Sequence, residues 1–543
     1  MQRVSADEAV KLIRSGDTIV IGGSGGGHAV PEALMAAVER RFLAEGLPRA
    51  ITAVHPVGLG DGANRGAGHF AHEGLLKRIV CGTFVNSPGI SDMAIADKVE
   101  GYTLPQGALS QLMREIAAGR PGLMTKTGLH TFVDPRHGGG RQSRSAPEGV
   151  VELVDFRGED YLFFKSFHID VCFLRGTTAD EDGNISMEQE AVFLEMLSEA
   201  QATKRCGGLV IVQVKRIAKR GTLPPKSVKI PGILVDLVVV EPGQWQTYLV
   251  EYSPSYAGEL RMPLSDIPVL PLDARKVIAR RAALELFPGA ICNLGSGIST
   301  GIANVAAEEG VLDEVCLTNE QGLIGGAPAS GGDAGAARNY MAIVDQPYQF
   351  DFYDGGGLDL AFLSFAEVDA AGNVNVSRFG DRIVGPGGFI NISQNARSVI
   401  FSATFTAGKS EIGWGDGSMR IVKDGPQAKL VEAVQQITYS GRYGAERGQR
   451  VLYVTERAVF RLGPDGVELI EVAPGIDVER DVIARMGFRP RVAPDLKLMD
   501  QRLFRPEPIG LAGHLGQRPR RAPPAHLAEA GFALAGTRQV AAE

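Results

Sequence analysis

Residues 311–340 read VLDEVCLTNEQGLIGGAPASGGDAGAARNY, and the interpretation of the whole chain turns on them. The apolar run Val315-Cys316-Leu317, bounded by Asp313-Glu314 before it and Thr318-Asn319 after it, predicts a short buried strand. A single carboxylate, Glu320, follows at its end. Beyond it, Gly322, Gly325, Gly326, Gly331, Gly332 and Gly335 leave little side chain to fill the space around that carboxylate. Glycine lets backbone approach a bulky ligand and supplies the positive φ of tight turns. Two readings fit these residues equally: a surface turn opening with a solvated Glu, or a cleared site for chemistry.

Strand–glycine–helix units lie on either side. Residues 17–22, DTIVIG, predict a strand, followed by the loop Gly22-Gly23-Ser24-Gly25-Gly26-Gly27. A helix opened by Pro31 comes next, with Leu34, Val38 and Phe42 on one face, and then a strand over 50–55. The order returns at 290–294 with a strand, the loop Gly295-Ser296-Gly297-Ile298-Ser299-Thr300-Gly301, and a short helix over 302–309 stopped by Gly310. Such β-loop-α-β order points to a largely parallel sheet.

A sharper echo joins DVCFLRGTTADEDGN at 170–184 to DLAFLSFAEVDAAGN at 359–373. Both satisfy D-x-x-F-L-x₅-D-x-x-G-N, 189 positions apart. Duplication of one unit accounts for this. The expected fold class is α/β: two tandem related open domains with largely parallel sheets flanked by helices. The first domain is placed at 1–275, with an inserted segment near 85–155, and the second at 276–512, carrying Glu320. Their boundary falls where Pro263, Pro268 and Pro271 precede a helical pattern over 273–286. The Pro-, Gly- and Arg-rich end predicts a poorly ordered tail over 513–543.

Composition narrows the function classes. At 543 residues, with 44% apolar and 22% charged residues, the chain has ample core for more than one domain. A net charge of -7 gives no basic footprint for nucleic acid. No run of about 18 apolar residues predicts a membrane span. The N-terminal MQRVSADEAVKLIRSGD lacks an apolar signal core and predicts a helix with a Ser5/Glu8 capping box. Five scattered cysteines without a C-x-x-C pair predict reduced thiols and a cytoplasmic location. His69-Phe-Ala-His72 has no Glu in a metalloprotease position, so no metal site is expected. Neither glycine loop fits G-x-G-x-x-G with a ribose-binding acid in context, and Ala407-Gly-Lys-Ser410 lacks the first P-loop glycine.

The string Thr318-Asn-Glu-Gln-Gly-Leu-Ile-Gly-Gly-Ala-Pro328 resembles the nucleophile segment of the family I coenzyme A transferases. Within that family it is most similar to single-chain acyl-CoA:acetate/3-ketoacid and propionate CoA-transferases. Leu104-Pro105-Gln106-Gly107 resembles the family stretch whose Gln amide reaches the reacting carbonyl. Gly385-Pro-Gly-Gly-Phe-Ile-Asn-Ile-Ser393 resembles the loop whose second glycine, here Gly388, offers an oxyanion N–H. Asn391 stands where the family usually has Asp. Plain structural uses exist beside these: Gln106 can cap the helix that follows it, and Gly388 can serve a left-handed turn.

The resemblance runs over about residues 1–512. It implies Glu320 as nucleophile, Gln106 and Gly388 as oxyanion support, and Gly297, Gly325, Gly326, Gly387 and Asn391 as the lining for CoA and substrate. It also implies acyl-CoA and short-chain carboxylic acids as partners, CoA as transient covalent adduct with no tightly bound cofactor, and a homodimer or homotetramer. The acids expected are acetate, propionate, butyrate or acetoacetate. The alternatives are an acyl-CoA hydrolase on the same scaffold and a non-enzymatic sensor of acyl-CoA or sugar phosphate. A carboxylate suits CoA transfer because Glu, with an ordinary pKa of about 4.3, is ionised at neutral pH without a partner base.

Overall fold

The computed structural model describes residues 1–263 and 266–529. The first half is built on eight strands, β1 Gln2–Val4, β2 Thr18–Ile21, β3 Ile51–His55, β4 Leu76–Cys81, β5 Glu100–Thr103, β6 Val171–Arg175, β7 Leu209–Val214 and β8 Leu237–Val240. They line up in the order β1-β8-β7-β6-β2-β3-β4-β5, every neighbour parallel.

The second half uses β9 Ile291–Leu294, β10 Cys316–Thr318, β11 Leu323–Ile324, β12 Ala342–Ile343, β13 Leu360–Ser364, β14 Ser398–Ser402, β15 Arg450–Val454, β16 Ala458–Gly463, β17 Gly466–Val472 and β18 Arg491–Leu498. Their order is β12-β11-β10-β9-β13-β14-β15-β16-β17-β18. The centre from β10 to β15 is parallel; β10-β11-β12 and β15-β16-β17 are antiparallel, and the edge strand β18 runs parallel to β17.

Central strands such as β6, VCFLR, are buried along their whole length, as expected of parallel strands covered on both faces. Successive residues serve opposite layers: Val20, Cys172 and Val212 pack into one apolar cluster, Ile19, Ile21, Phe173 and Ile211 into another. In the second half Phe362 and Ile400 go to one cluster, Leu363 and Phe401 to the other.

The covering helices include α1 Ala6–Val10, α2 Glu32–Glu45, α3 Gln106–Ala117, α4 Met196–Arg205, α5 Ala274–Ala283, α6 Gly301–Glu308, α7 Gln346–Asp354, α8 Phe389–Asn395 and α9 Leu511–Gly516. Ser5 and Glu8 form the expected capping box at α1. Asp273 caps α5, accepting from the Lys276 N–H. In α3, Leu109, Leu112, Met113 and Ile116 make the buried stripe.

The echo is structural as well as sequential. Asp170 accepts from the Thr18 N–H at 2.8 Å, and Asp359 accepts from the Ile291 N–H at 3.0 Å. Each aspartate thus ties the start of β6 or β13 to its neighbouring strand. Further on, Asp180 accepts from Asp182 N–H, Asn184 N–H and Asn184 Nδ2, while Asp369 accepts from Ala371 N–H, Asn373 N–H and Asn373 Nδ2. Gly183 and Gly372 close the two turns at φ +86° and +79°.

The inserted segment carries a three-stranded antiparallel sheet of Gly122–Thr125, Glu159–Lys165 and Val151–Phe156. Within it Arg136 pairs with Asp134 and Asp160.

The end of the chain departs from expectation over 513–521. Leu511 and Leu515 are buried, His514 Nε2 bonds the Leu284 carbonyl, and Arg521 donates to the Pro288 carbonyl and to Asp359. Leucines at i and i+4 give this short arginine-rich segment an apolar edge that docks on the end of α5. A short helical turn follows at Ala525–Glu529, and 530–543 of the expected tail lie outside the described residues. Among the described residues, no helix is long and apolar enough to cross a membrane.

Candidate active site

Glu320 stands two residues beyond β10, half-buried, where the two halves meet. Among the described residues its carboxylate receives only long contacts: Asn293 Nδ2 at 3.5 Å and Gln321 Nε2 at 3.5 Å. Burial raises its pKa, opposed only by its own backbone N–H, Asn293 and Gln321. Neutral amides rather than a cation support this carboxylate. It is therefore more basic than the ordinary Glu that the sequence alone suggests.

Asn293 comes from β9 and is completely buried. Its Nδ2 also contacts the Thr318 carbonyl and Tyr353 Oη, at 3.4 Å each. Tyr353 on α7 donates to Thr318 Oγ1 at 2.8 Å and accepts from Gln349 Nε2 at 3.0 Å. Burial pushes the Tyr353 phenol well up, so it is a neutral donor. This floor fixes the end of β10 and leaves the Glu320 oxygens lightly held.

Gly388 faces the stem of the same glutamate. A Cβ built there would lie 3.4 Å from Glu320 Cγ and 3.5 Å from the Phe350 ring. Its φ is -79°, so no left-handed turn calls for glycine here, and a Cβ would make close contact with Ile392, Glu320 and Phe350 at 3.3–3.5 Å without a clash. The positive φ falls on Gly385 and Gly387, at +92° and +51°. The Gly387 N–H donates to the Gly82 carbonyl at 2.8 Å and the Phe389 N–H to Pro386 at 3.0 Å. The Gly388 N–H is left without a protein acceptor among the described residues.

Gln106 opens α3 and is buried, its N–H donating to the Gly387 carbonyl at 2.9 Å. Its side chain does not cap the helix. Nε2 instead reaches Gln346 Oε1 at 3.1 Å. Above Gly387 the nearest atom to a built Cβ is Gln106 Oε1, 3.8 Å away, so the space there is open. Glu320, Gly388, Gly387 and Gln106 thus gather at one place.

Other expected lining residues do not. Asn391 is fully buried behind the loop: Oδ1 accepts from the Gly107 N–H at 3.1 Å, and Nδ2 donates to Asp354 at 3.0 and 3.1 Å. Its position on the inner face of α8 turns it toward α3 and α7, so it braces those elements instead of lining the site. The charge at this spot belongs to Asp354, which burial pushes to about 6 against the donors Asn391, Gln111 and Asn395. Gly326 is spent on packing, since its Cβ would meet the Arg338 carbonyl at 2.1 Å, and Gly325 lies against Met341. At Gly297, φ +92°, a Cβ would meet only Ser364 within 4 Å.

The first-half glycine loop has a supporting role. A Cβ on Gly26 would strike the Gly332 carbonyl at 2.0 Å. His28, kept neutral by burial, donates through Nε2 to the Ala334 carbonyl at 3.1 Å, and Ser24 Oγ meets Gln321 Nε2 at 3.5 Å. The loop buttresses the segment after Glu320. His69 and His72 pair with Glu32 and Glu39, and among the described residues no His/Cys/Asp/Glu group is placed to hold a metal ion.

Sequence reasoning passed over Asn293, Tyr353, Gln346, Asp354 and Glu195. Asn293 carried a signal, as a polar residue in the apolar strand Ile-Cys-Asn-Leu. The others become visible only when α3, α4 and α7 are brought together.

Comparison with known proteins agrees with this geometry. Residues 3–241 match the family described as Coenzyme A transferase. The chain is 47% identical over 522 residues to a caffeate CoA-transferase of Acetobacterium woodii, covering 95% of this chain and 99% of the relative. It is 44% identical to acetate CoA-transferase YdiF of Escherichia coli strain K12, covering 92% and 94%. The crystal structure of acyl-CoA transferase YdiF from E. coli O157:H7, in a thioester complex with CoA, superposes with a TM-score of 0.90 at 43% identity, covering 94% of this chain and 97% of that one. With near-complete coverage at this identity, and with a carboxylate, a glycine loop and a buried amide gathered at one place, the chain belongs to the coenzyme A transferase family.

Proposed function

We propose that Glu320 is the nucleophile through which this family member moves CoA from an acyl-CoA to a free carboxylate. The observation that carries the reading is the placement of Glu320 against Gly388, whose N–H is uncommitted, with Gln106 across the open space above Gly387. The Glu320 carboxylate attacks the thioester carbonyl, and collapse of the adduct expels CoA thiolate and leaves a mixed anhydride. The thiolate attacks the Glu320 carbonyl, releasing the first acid and leaving a glutamyl-CoA thioester. A second carboxylate reverses both steps, so atoms and charge balance without ATP. Each addition develops an oxyanion. The Gly388 N–H and the Gln106 amide stabilise it, each contributing about 2.7–4 kcal/mol.

A desolvated carboxylate is a better nucleophile and its acyl intermediates survive only where water is kept out. Burial around Glu320 and the first-half buttress support both requirements. The relative solved as a CoA thioester complex supports an adduct of this kind. The acids in this reading are short-chain, of the acetate, propionate, butyrate or acetoacetate class, with CoA as substrate and transient adduct. Relatives named for acetate and for caffeate make an aromatic acid the natural contrast in an acceptor panel. The same reading includes a homo-oligomer working in the cytoplasm.

Incubation with acyl-CoA and no acceptor tests the nucleophile. The protein should retain CoA in thioester linkage, borohydride should reduce that linkage to an alcohol, and peptide mapping should place the change within 311–340. An adduct mapping elsewhere, or none in a protein that exchanges acyl groups, rejects Glu320. Following hydrolysis in parallel separates transferase from hydrolase.

A further inference from the structure

Three helix starts converge behind Gln106. Gln106 is the first residue of α3, Glu195 immediately precedes α4, and Gln346 is the first residue of α7. All three side chains are buried, at 2%, 1% and 0% exposure, so their hydrogen bonds cannot be traded for water. Gln346 Nε2 donates to Glu195 Oε2 at 2.6 Å, and Gln346 Oε1 accepts from Gln106 Nε2 at 3.1 Å. Ser110, one turn along α3, donates to the same Glu195 oxygen at 2.9 Å. The backbone is locked too: the Gln346 N–H donates at 2.9 Å to the carbonyl of Leu194, which is held at φ +54°. A bulky residue in that region is strained, and such strain persists only where its surroundings impose it.

The chain of contacts has one direction. An isolated Gln amide can turn over, exchanging its oxygen and nitrogen at little cost. Here Ser110 already donates to Glu195 Oε2, so that oxygen accepts, and Gln346 offers it an N–H. That leaves only the Gln346 carbonyl for Gln106, which must answer with its own nitrogen. Burial raises the Glu195 pKa to about 8, and its unpartnered Oε1 can carry that proton while Oε2 goes on accepting. With one hydrogen held by Gln346, the Gln106 nitrogen keeps a second that no described residue takes.

We propose that Glu195 and Gln346 are positioning residues for CoA transfer, forming a buried relay that fixes the orientation of the Gln106 amide. This inference rests on the reading of Gln106 as oxyanion support. It concerns a group that develops its effect in the transition state, so the relay acts on kcat and leaves acyl-CoA binding alone.

The decisive measurement is a cycle between Gln346→Met and Gln106→Ala. Gln346→Met should lower kcat about tenfold with KM for acyl-CoA within about twofold of wild type, and should add nothing in the Gln106→Ala background. Gln346→Glu faces Glu195 with a second acid and should be at least as slow. Adding Glu195→Gln to it rebuilds a donor-to-acceptor pair and should restore most of kcat. Full additivity of the two losses, or a double swap no faster than Gln346→Glu alone, overturns the relay while leaving Gln106 in its role. Should Gln106→Ala leave kcat unchanged, the oxyanion reading falls and the relay falls with it.

Discussion

In the first half, Val20 on β2 pairs with Val54 on β3, and Pro56 follows two residues later. In the second half the matching places are held by Asn293 on β9, Thr318 on β10 and Glu320. The match is fixed by register: Val20 lies beside Cys172, Asn293 beside Ala361, and those two residues are equivalent in the D-x-x-F-L echo. Both halves keep the aspartates that tie and close the motif. One half fills the ends of its central strands with valine and proline and packs them. The other puts an amide, a hydroxyl and a carboxylate at the same places. A site can thus be installed in a duplicated sheet by a few polar exchanges at strand ends, while the other copy supplies the walls.

The largest expected effect comes from removing the charge that distinguishes the halves. Glu320→Gln should abolish exchange, because an amide of nearly the same shape is a poor nucleophile. It should also stabilise the protein at neutral pH. Burial raises the Glu320 pKa above its unfolded value, so the neutral form is favoured in the folded state. The stability this contributes is present below the unfolded value, about 4.3, and is lost as pH rises through the folded pKa. Gln carries no charge to desolvate, so the Tm advantage of the variant should grow from pH 4 toward pH 8. A Tm difference independent of pH would show that the carboxylate is not desolvated. The same shift should place the acid limb of kcat/KM above the ordinary Glu range.

The next effect is smaller and runs in opposite senses in the two halves. Asn293→Val gives the second half the residue of the first. It should lower kcat about tenfold, some 1.4 kcal/mol in the barrier, by removing a donor that reaches Glu320 and tightens as charge moves. Stability should hold or rise, because Asn293 Oδ1 has no partner among the described residues. Val20→Asn, the reverse exchange, puts an unpartnered amide into a packed layer and should cost about 1–3 kcal/mol of stability. Equal destabilisation by the two substitutions would mean that Asn293 is structural and that the halves do not differ as described.

How far the sequence could show this depends on the distance over which each contact acts. Glu320, Gly387 and Gly388 sit in short local motifs, and the two turns closed by Gly183 and Gly372 repeat their residues in order, so a linear reading finds them. Gly385 to Gly388 mark its limit: the glycines are visible in the sequence, but only the backbone angles separate Gly387, which turns the chain, from Gly388, which does not. Asn391 belongs to the same motif, yet side-chain direction on α8 sends it toward Asp354. Gln346 and Glu195 left no linear trace, since they join Gln106 and each other across 240 and 151 positions. Likewise the docking of 511–521 depends on an apolar edge that means nothing until α5 is there to receive it.

The smallest effect tests what the halves share. Asp180 and Asp369 each accept two backbone N–H groups and one Asn amide in turns of the same form, closed by glycine in the left-handed region. Replacing either with Ala frees three donors at a turn whose following residues are exposed and can recruit water, so the cost is the net worth of the bonds, about 1 kcal/mol or slightly more. Since the two turns are wired alike, Asp180→Ala and Asp369→Ala should lower stability by similar amounts. Neither contacts the Glu320 cluster, so kcat should stay within about twofold of wild type for both, and the double variant should sum the two losses to within about 0.5 kcal/mol. Denaturant melts of the three variants beside steady-state assays measure this. A loss confined to one turn would mean that the echo keeps the form of the duplicated unit without keeping its energetic role, and the second half would then differ from the first in its framework as well as at its strand ends.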